Sequence, residues 1–134
     1  IEIDKIIEKA FIMADEKQIR QACSNLIKNS YENITLNNIS EGNILISFGI
    51  ENDFASITIS DNGTGIDKSI ISKILEPYYT TKVGNSGLGL AITKKIIDDH
   101  NGIILIKPLK GSKGMSVTLK FPLISKYKKE KNKW

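Results

Sequence analysis

The 134 residues predict an α+β fold: a two-layer sandwich with about three helices on one face of a mixed, mostly antiparallel sheet. Three observations carry this. Two stretches have strong helical periodicity, strand-like alternation arrives in adjacent pairs that read as hairpins, and the alternating βαβ units of a doubly wound sheet are missing. The length suits one globular domain, and 40% apolar with 25% charged residues argues against disorder. The expected division is a domain over residues 1–125 and a basic tail over 126–134.

In chain order, Ile3, Ile6, Ile7, Phe11 and Ile12 give a weak extended segment. Asp15 reads as a helix N-cap, with Gln18 three residues on completing a capping-box pattern. Ile19, Ala22, Cys23, Leu26, Ile27, Ser30 and Ile34 then recur at helical spacing, and the polar run Asn37 to Gly42 should end that helix. Asn43 to Ile50 and Phe54 to Ser60 alternate with period two around Glu51-Asn52-Asp53, an antiparallel hairpin. Asp61-Asn62-Gly63-Thr64-Gly65 is a sharp turn after its second strand. A short helix around Ile70 to Leu75 is stopped by Pro77, and Tyr78 to Ser86 should be a mobile polar loop. Gly87-Leu88-Gly89 opens a second strong helix, Leu88 to Asp99, closed by Asn101-Gly102 as a left-handed cap. Ile103 to Lys107 and Met115 to Phe121 form the last hairpin, and Pro122 should end the pattern.

Composition removes several classes of function. Cys23 is the only cysteine and His100 the only histidine, which excludes intramolecular disulfides and multi-histidine metal centres. No apolar run is long enough for a transmembrane helix, and the start at Ile1 rather than Met reads as a piece of a longer protein. The net charge of +4 resides in the tail, where Lys126 to Lys133 hold five lysines in eight positions. A solvated tail explains it, and no nucleic-acid partner is expected.

Three clusters interrupt the patterned elements. At about 100° per residue, Asn25 and Asn29 fall near about 240° and about 280° from Ile19, on one edge of the apolar stripe. An amide oxygen there suits a hard cation such as Mg²⁺, although two surface asparagines would look the same. Asp61-x-Gly63-x-Gly65 places a carboxylate at a strand end beside glycines that let a flat ligand approach; alone it is also an ordinary Asp-Asn-Gly turn. Gly84-Asn85-Ser86-Gly87-Leu88-Gly89 runs into a helix N-terminus, an anion site or a flexible loop. It is neither a Walker A loop nor a Rossmann fingerprint, since no Lys-Ser/Thr follows and no third glycine or preceding strand is present.

In this order, on these elements, the clusters resemble the ATP-binding catalytic domain of bacterial sensor histidine kinases. That family shares the Bergerat fold with type II topoisomerases, heat-shock protein 90 chaperones and MutL-type ATPases. Asn25-Leu26-Ile27-Lys28-Asn29-Ser30 looks like the N box and Asp61-Asn62-Gly63-Thr64-Gly65-Ile66 like the G1 box. Leu75-Glu76-Pro77-Tyr78-Tyr79-Thr80-Thr81-Lys82 is similar to the F box, and Ser86-Gly87-Leu88-Gly89-Leu90-Ala91-Ile92 to the G2 box. The resemblance implies that Asn29 supplies an oxygen to Mg²⁺, with Asn25 supporting it. It implies that Asp61 accepts from the adenine amino group, with Gly63 and Gly65 against the base, and that the N–H groups of Gly87, Leu88 and Gly89 hold phosphate. Lys82 and Lys28 would add positive charge, Ile66, Thr81 and Ser86 would complete the ATP site, and residues between Gly65 and Gly87 would form a lid. Two departures stand out: Ser86 replaces the usual Thr, and Gly114-Met115 replaces Gly-Thr, a loss for which Thr118 could compensate.

The activity implied is transfer of the ATP γ-phosphoryl to a histidine on an upstream dimerisation domain, in a cytoplasmic part of a homodimeric kinase that serves a response regulator. His100 is not the phosphoacceptor. It precedes Asn101-Gly102 and reads as a helix-end residue, its protonated imidazole favourable near C-terminal carbonyls. No general base is assigned. The alternatives are another Bergerat-fold ATPase or serine kinase, and a regulatory module that holds nucleotide without phosphotransfer. The first class carries Glu one turn before the metal-binding Asn, where this chain has Asn25.

Overall fold

The computed structural model describes residues 1–3, 10–35, 39–63, 73, 89–108 and 114–124. They form β1 (Glu2–Ile3), α1 (Glu16–Thr35), β2 (Ile44–Glu51), β3 (Phe54–Asp61), α2 (Gly89–Asp99), β4 (Ile103–Pro108) and β5 (Met115–Pro122). The sheet order is β1-β2-β3-β5-β4, with β1 parallel to β2 and every other pair antiparallel. This is the mixed, mostly antiparallel sheet that the sequence predicts. The expected short helix from Ile70 to Leu75 falls outside the described residues apart from Lys73, so the described helices are two.

Period-two patterning decides which side of the sheet is covered. Along β5, Met115, Val117, Leu119 and Phe121 are buried, and Ile44, Ile46 and Ile59 join them from β2 and β3. Ala22 and Leu26 of α1, with Ile96 and Ile97 of α2, close the same cluster. Truncating a side chain as enclosed as Leu119 to alanine costs about 2–5 kcal/mol. The opposite face is lined with hydroxyls: Thr58 and Thr118 bond across β3 and β5 at 2.9 Å, and Ser60 donates to Ser116 at 3.3 Å.

The N-cap of α1 is made as expected, with a substitution in the second half of the capping box. Asp15 Oδ1 accepts from Lys17 N–H at 2.9 Å and Gln18 N–H at 3.2 Å. The Asp15 N–H that a capping-box Gln18 would take goes instead to His100 Nε2 at 3.0 Å. Nδ1 of His100 faces the Ile96 carbonyl at 2.7 Å and donates to it. Both ring nitrogens of His100 are thus engaged at the end of α2, as expected of a helix-end residue. The tie also fixes the relation of the helices: the start of α1 meets the end of α2, and the two run antiparallel.

The C-terminus of α2 is a Schellman motif. Gly102 N–H bonds to Ile97 O at 2.9 Å and Asn101 N–H to Asp98 O at 3.1 Å. Asn101, rather than Gly102, takes the left-handed conformation, with φ 56°. Gly102 is needed for a different reason: a Cβ there would stand 2.4 Å from Lys120 O. Pro122 is the last residue of β5, as the sequence predicts. It pairs with Phe54, and β4 reaches only as far as Lys120, so no neighbour on that side needs the N–H that proline lacks. Beyond it Leu123 N–H bonds Asp53 O and Ile124 N–H bonds Phe11 O, tying down the approach to α1.

Candidate nucleotide site

Asp61 is the last residue of β3 and is only 2% exposed. It shares the parity of Ile57 and Ile59, so its carboxylate points to the helix side of the sheet. Oδ1 accepts the Gly63 N–H at 2.9 Å. Oδ2 is buried and makes no hydrogen bond among the described residues. Burial pushes this carboxyl above its ordinary range, while the Gly63 N–H and, more weakly, the Ser30 hydroxyl, the Asn33 amide and the Met115 N–H act the other way. The result is a desolvated acceptor with one oxygen unspent.

Gly63 is tight here. A Cβ would lie 3.0 Å from Asp61 Oδ1 and 3.0 Å from Asn33 Cβ, so a side chain here would make the turn or α1 give by a few tenths of an ångström. Asn62 holds the turn from outside, accepting from Asn43 N–H and donating to Glu41 O, both at 2.7 Å.

Asn25, Asn29 and Asn33 lie at i, i+4 and i+8 on one edge of α1, a span of about 12 Å. Asn33 sits against Gly63 and Asp61. At the other end, Asn25 Nδ2 donates to Gly89 O at 3.2 Å and to Thr93 Oγ1 at 3.4 Å. Gly89 opens α2, so one edge of α1 links a buried carboxylate to a helix N-terminus, with Asn29 half-buried midway. A carboxylate for a base amino group, an amide oxygen and a helix N-terminus for phosphate form a nucleotide-shaped sequence of chemistry.

Of the residues singled out from sequence, Asn25, Asn29, Asp61, Gly63 and Gly89 fall along this edge. Lys28 is peripheral: its side chain is 72% exposed and its Nζ lies 3.9 Å from Glu32 Oε1. Thr118 is elsewhere, on the hydroxyl-lined face with its Oγ1 against Thr58. Strand parity turns it away from Asp61, so the compensation expected of it is not made there. Gly65, Ile66, Thr81, Lys82, Ser86, Gly87 and Leu88, with the expected lid, lie outside the described residues. Sequence reading overlooked Asn33, Asn62 and Thr93. Asn33 was findable, being one more step of the Asn25–Asn29 spacing; the other two matter only through contacts that folding creates. A cleft of about 620 Å³ among Met13, Asp15, Asp99, His100, Pro122 and Ile124 contains none of the nucleotide-site residues.

This fold is that of a catalytic domain of the histidine kinase type. The structure superimposes on the catalytic domain of histidine kinase ThkA with TM-score 0.74 and 30% identity, covering 90% of this chain and 75% of that one. Residues 14–125 match the family of histidine kinase-, DNA gyrase B- and HSP90-like ATPases, and the chain belongs to that family. It is 36% identical over 113 residues to the signal transduction histidine-protein kinase AtoS of Escherichia coli, covering 84% of this chain and 18% of AtoS. It is 38% identical over 111 residues to sporulation kinase B of Bacillus subtilis, covering 83% of this chain and 25% of that kinase. The chain spans about a fifth of the length of the first relatives it matches. Among the described residues, no helix is long and apolar enough to cross a membrane.

Proposed function

We propose that this chain binds Mg-ATP and serves as the catalytic domain of a sensor histidine kinase acting in two-component signalling. The observation that carries the reading is the unspent Oδ2 of Asp61, buried beside Gly63 at the base end of the α1 edge. A buried carboxylate oxygen without a donor is costly, and the exocyclic amino group of adenine supplies the donor. At the far end, the first-turn N–H groups of α2 suit phosphate.

The donor set also fits magnesium. Asn29 offers a neutral amide oxygen on the edge between base and phosphate ends, the hard-ligand chemistry that Mg²⁺ accepts while keeping waters and phosphate oxygens. When bound, the ion would neutralise phosphate charge. The chain's own residues orient the nucleotide: Asp61 fixes the base, and α2 receives the phosphates. In the whole kinase the bond from the γ-phosphorus to the β-bridging oxygen breaks. A bond forms to an imidazole nitrogen on an upstream dimerisation domain, with catalysis resting on positioning and charge neutralisation. A homodimeric parent, a response regulator downstream, and a cytoplasmic position for this ATP-dependent domain complete the reading. His100 is no acceptor, since both ring nitrogens are engaged in tying α2 to α1.

Titration calorimetry of this chain with ATP and GTP in Mg²⁺ is the test. Asp61 donates nothing to the 6-oxo group of guanine, so ATP should bind at least about 10-fold tighter. Equal affinities would remove adenine from the Asp61 site. Labelled phosphate moving from ATP to a supplied dimerisation domain separates the kinase from a module that only holds nucleotide.

A further inference from the structure

Asn25 shares its helix edge with Asn29, but its surroundings assign it a different task. Both hydrogens of its amide nitrogen have acceptors on α2: the Gly89 carbonyl at 3.2 Å and the Thr93 hydroxyl at 3.4 Å. Thr93 is fully buried and passes its own hydroxyl hydrogen to the same Gly89 carbonyl at 3.0 Å. A buried hydroxyl without a partner is costly, so this three-residue arrangement is held from both sides. Gly89 is the first residue of α2, and the first-turn N–H groups have no partner within a helix. Whatever fixes the Gly89 carbonyl also fixes where those N–H groups point.

We propose that Asn25 is a positioning residue, clasping the first turn of α2 to α1 through Gly89 and Thr93 and so aiming the phosphate-holding N–H groups, an inference that rests on the nucleotide reading above. Asn25 acts on nucleotide through α2 and not through the metal. Its neighbour Asn29, one turn on, is the residue offered to Mg²⁺, so two similar asparagines on one edge divide the work. The clasp also explains why an amide is needed here. A carboxylate of the same shape would set an acceptor against the Gly89 carbonyl, and two acceptors repel.

Asn25→Asp separates the two roles, because a carboxylate is a stronger Mg²⁺ ligand than an amide but cannot donate. ADP affinity of the chain is measured by calorimetry in EDTA and again in Mg²⁺, with circular dichroism to verify folding. The clasp predicts that Asn25→Asp weakens ADP about 10-fold in both buffers, and that Thr93→Val weakens it about 3-fold in both. Hydrogen exchange of the Leu90 to Thr93 amides should quicken in both variants. If Asn25→Asp binds Mg-ADP as tightly as the parent or tighter, or loses affinity only when Mg²⁺ is present, the clasp is overturned in favour of a metal ligand. If Asn25→Asp does not fold, Thr93→Val decides alone, and unchanged affinity overturns the proposal. A parent chain that binds no ADP in either buffer overturns the nucleotide reading and the clasp with it. A parent that binds while both variants match it overturns only the clasp.

Discussion

The two ends of α1 are built from the same kinds of polar group and satisfy them differently. At the N-terminal end, Asp15 caps Lys17 and Gln18, its own N–H goes to His100, and His100 spends its second nitrogen on Ile96 O. At the other end, α1 packs against the turn after β3, where Asp61 is buried with one oxygen paired to Gly63 and the other without a donor among the described residues. The first end is a closed joint. The second keeps a buried oxygen, Asp61 Oδ2, that has no hydrogen-bond partner among the described residues. Natural domains tolerate such a group where it will meet a ligand, so incomplete satisfaction separates the site from the scaffold here more sharply than residue type does.

The largest test of this contrast is Asp61→Asn. It keeps an acceptor for Gly63 but can turn an NH₂ towards the adenine amino group, and ATP affinity should fall about 30- to 150-fold, or about 2–3 kcal/mol. Stability should move the other way. Because burial raises the Asp61 carboxyl in the folded state, folding is penalised once the pH exceeds the unfolded carboxylate range, and the penalty is full above the raised folded value. Asp61→Asn should therefore melt at or above the parent's temperature at neutral pH, with the gap closing on acidification through that window. A variant that melts well below the parent at neutral pH would make Asp61 a scaffold residue.

Asn29→Ala is the next largest effect. Mg-ATP should weaken by about 10-fold, and metal-free ATP much less, since only the ion loses an oxygen ligand. Equal weakening in both buffers would move the metal away from Asn29. At the closed end, His100→Ala should lower unfolding free energy by about 1–2 kcal/mol in urea titration, through two hydrogen bonds and the edge contact with Phe121. Nucleotide affinity should not change. A loss of ATP binding in that variant would blur the distinction between the two ends. The smallest effect belongs to Thr118→Val, whose affinity should stay within about 2-fold of the parent because its hydroxyl serves Thr58 on the far face. A larger loss would bring the far face of the sheet into the site.

Periodicity alone determined most of the architecture. Ala22, Leu26, Ile96 and Ile97 sit at helical spacing and β5 buries every second residue, so the helices, the hairpins and the covered face follow from where apolar side chains recur. The N-cap at Asp15 and the left-handed stop at Asn101 were equally local, since each depends on bonds within a few residues. The Asp61 carboxylate and the asparagine edge were legible as residue types at fixed offsets. Their ranking was not. Asp61 and Asn29 differ from Thr118 and Lys28 in what folding packs against them, and strand parity turned Thr118 to the opposite face. Asn25 and Asn29 are alike in sequence, yet only contact with Gly89 and Thr93 gives Asn25 its separate place. His100 likewise took the bond that Gln18 seemed placed to make, because antiparallel packing brought it to Asp15 across 85 residues. Sequence patterns encode which faces are buried. Which polar group meets which is decided only when distant elements are brought to within 3 Å or so of each other, the range over which hydrogen bonds act.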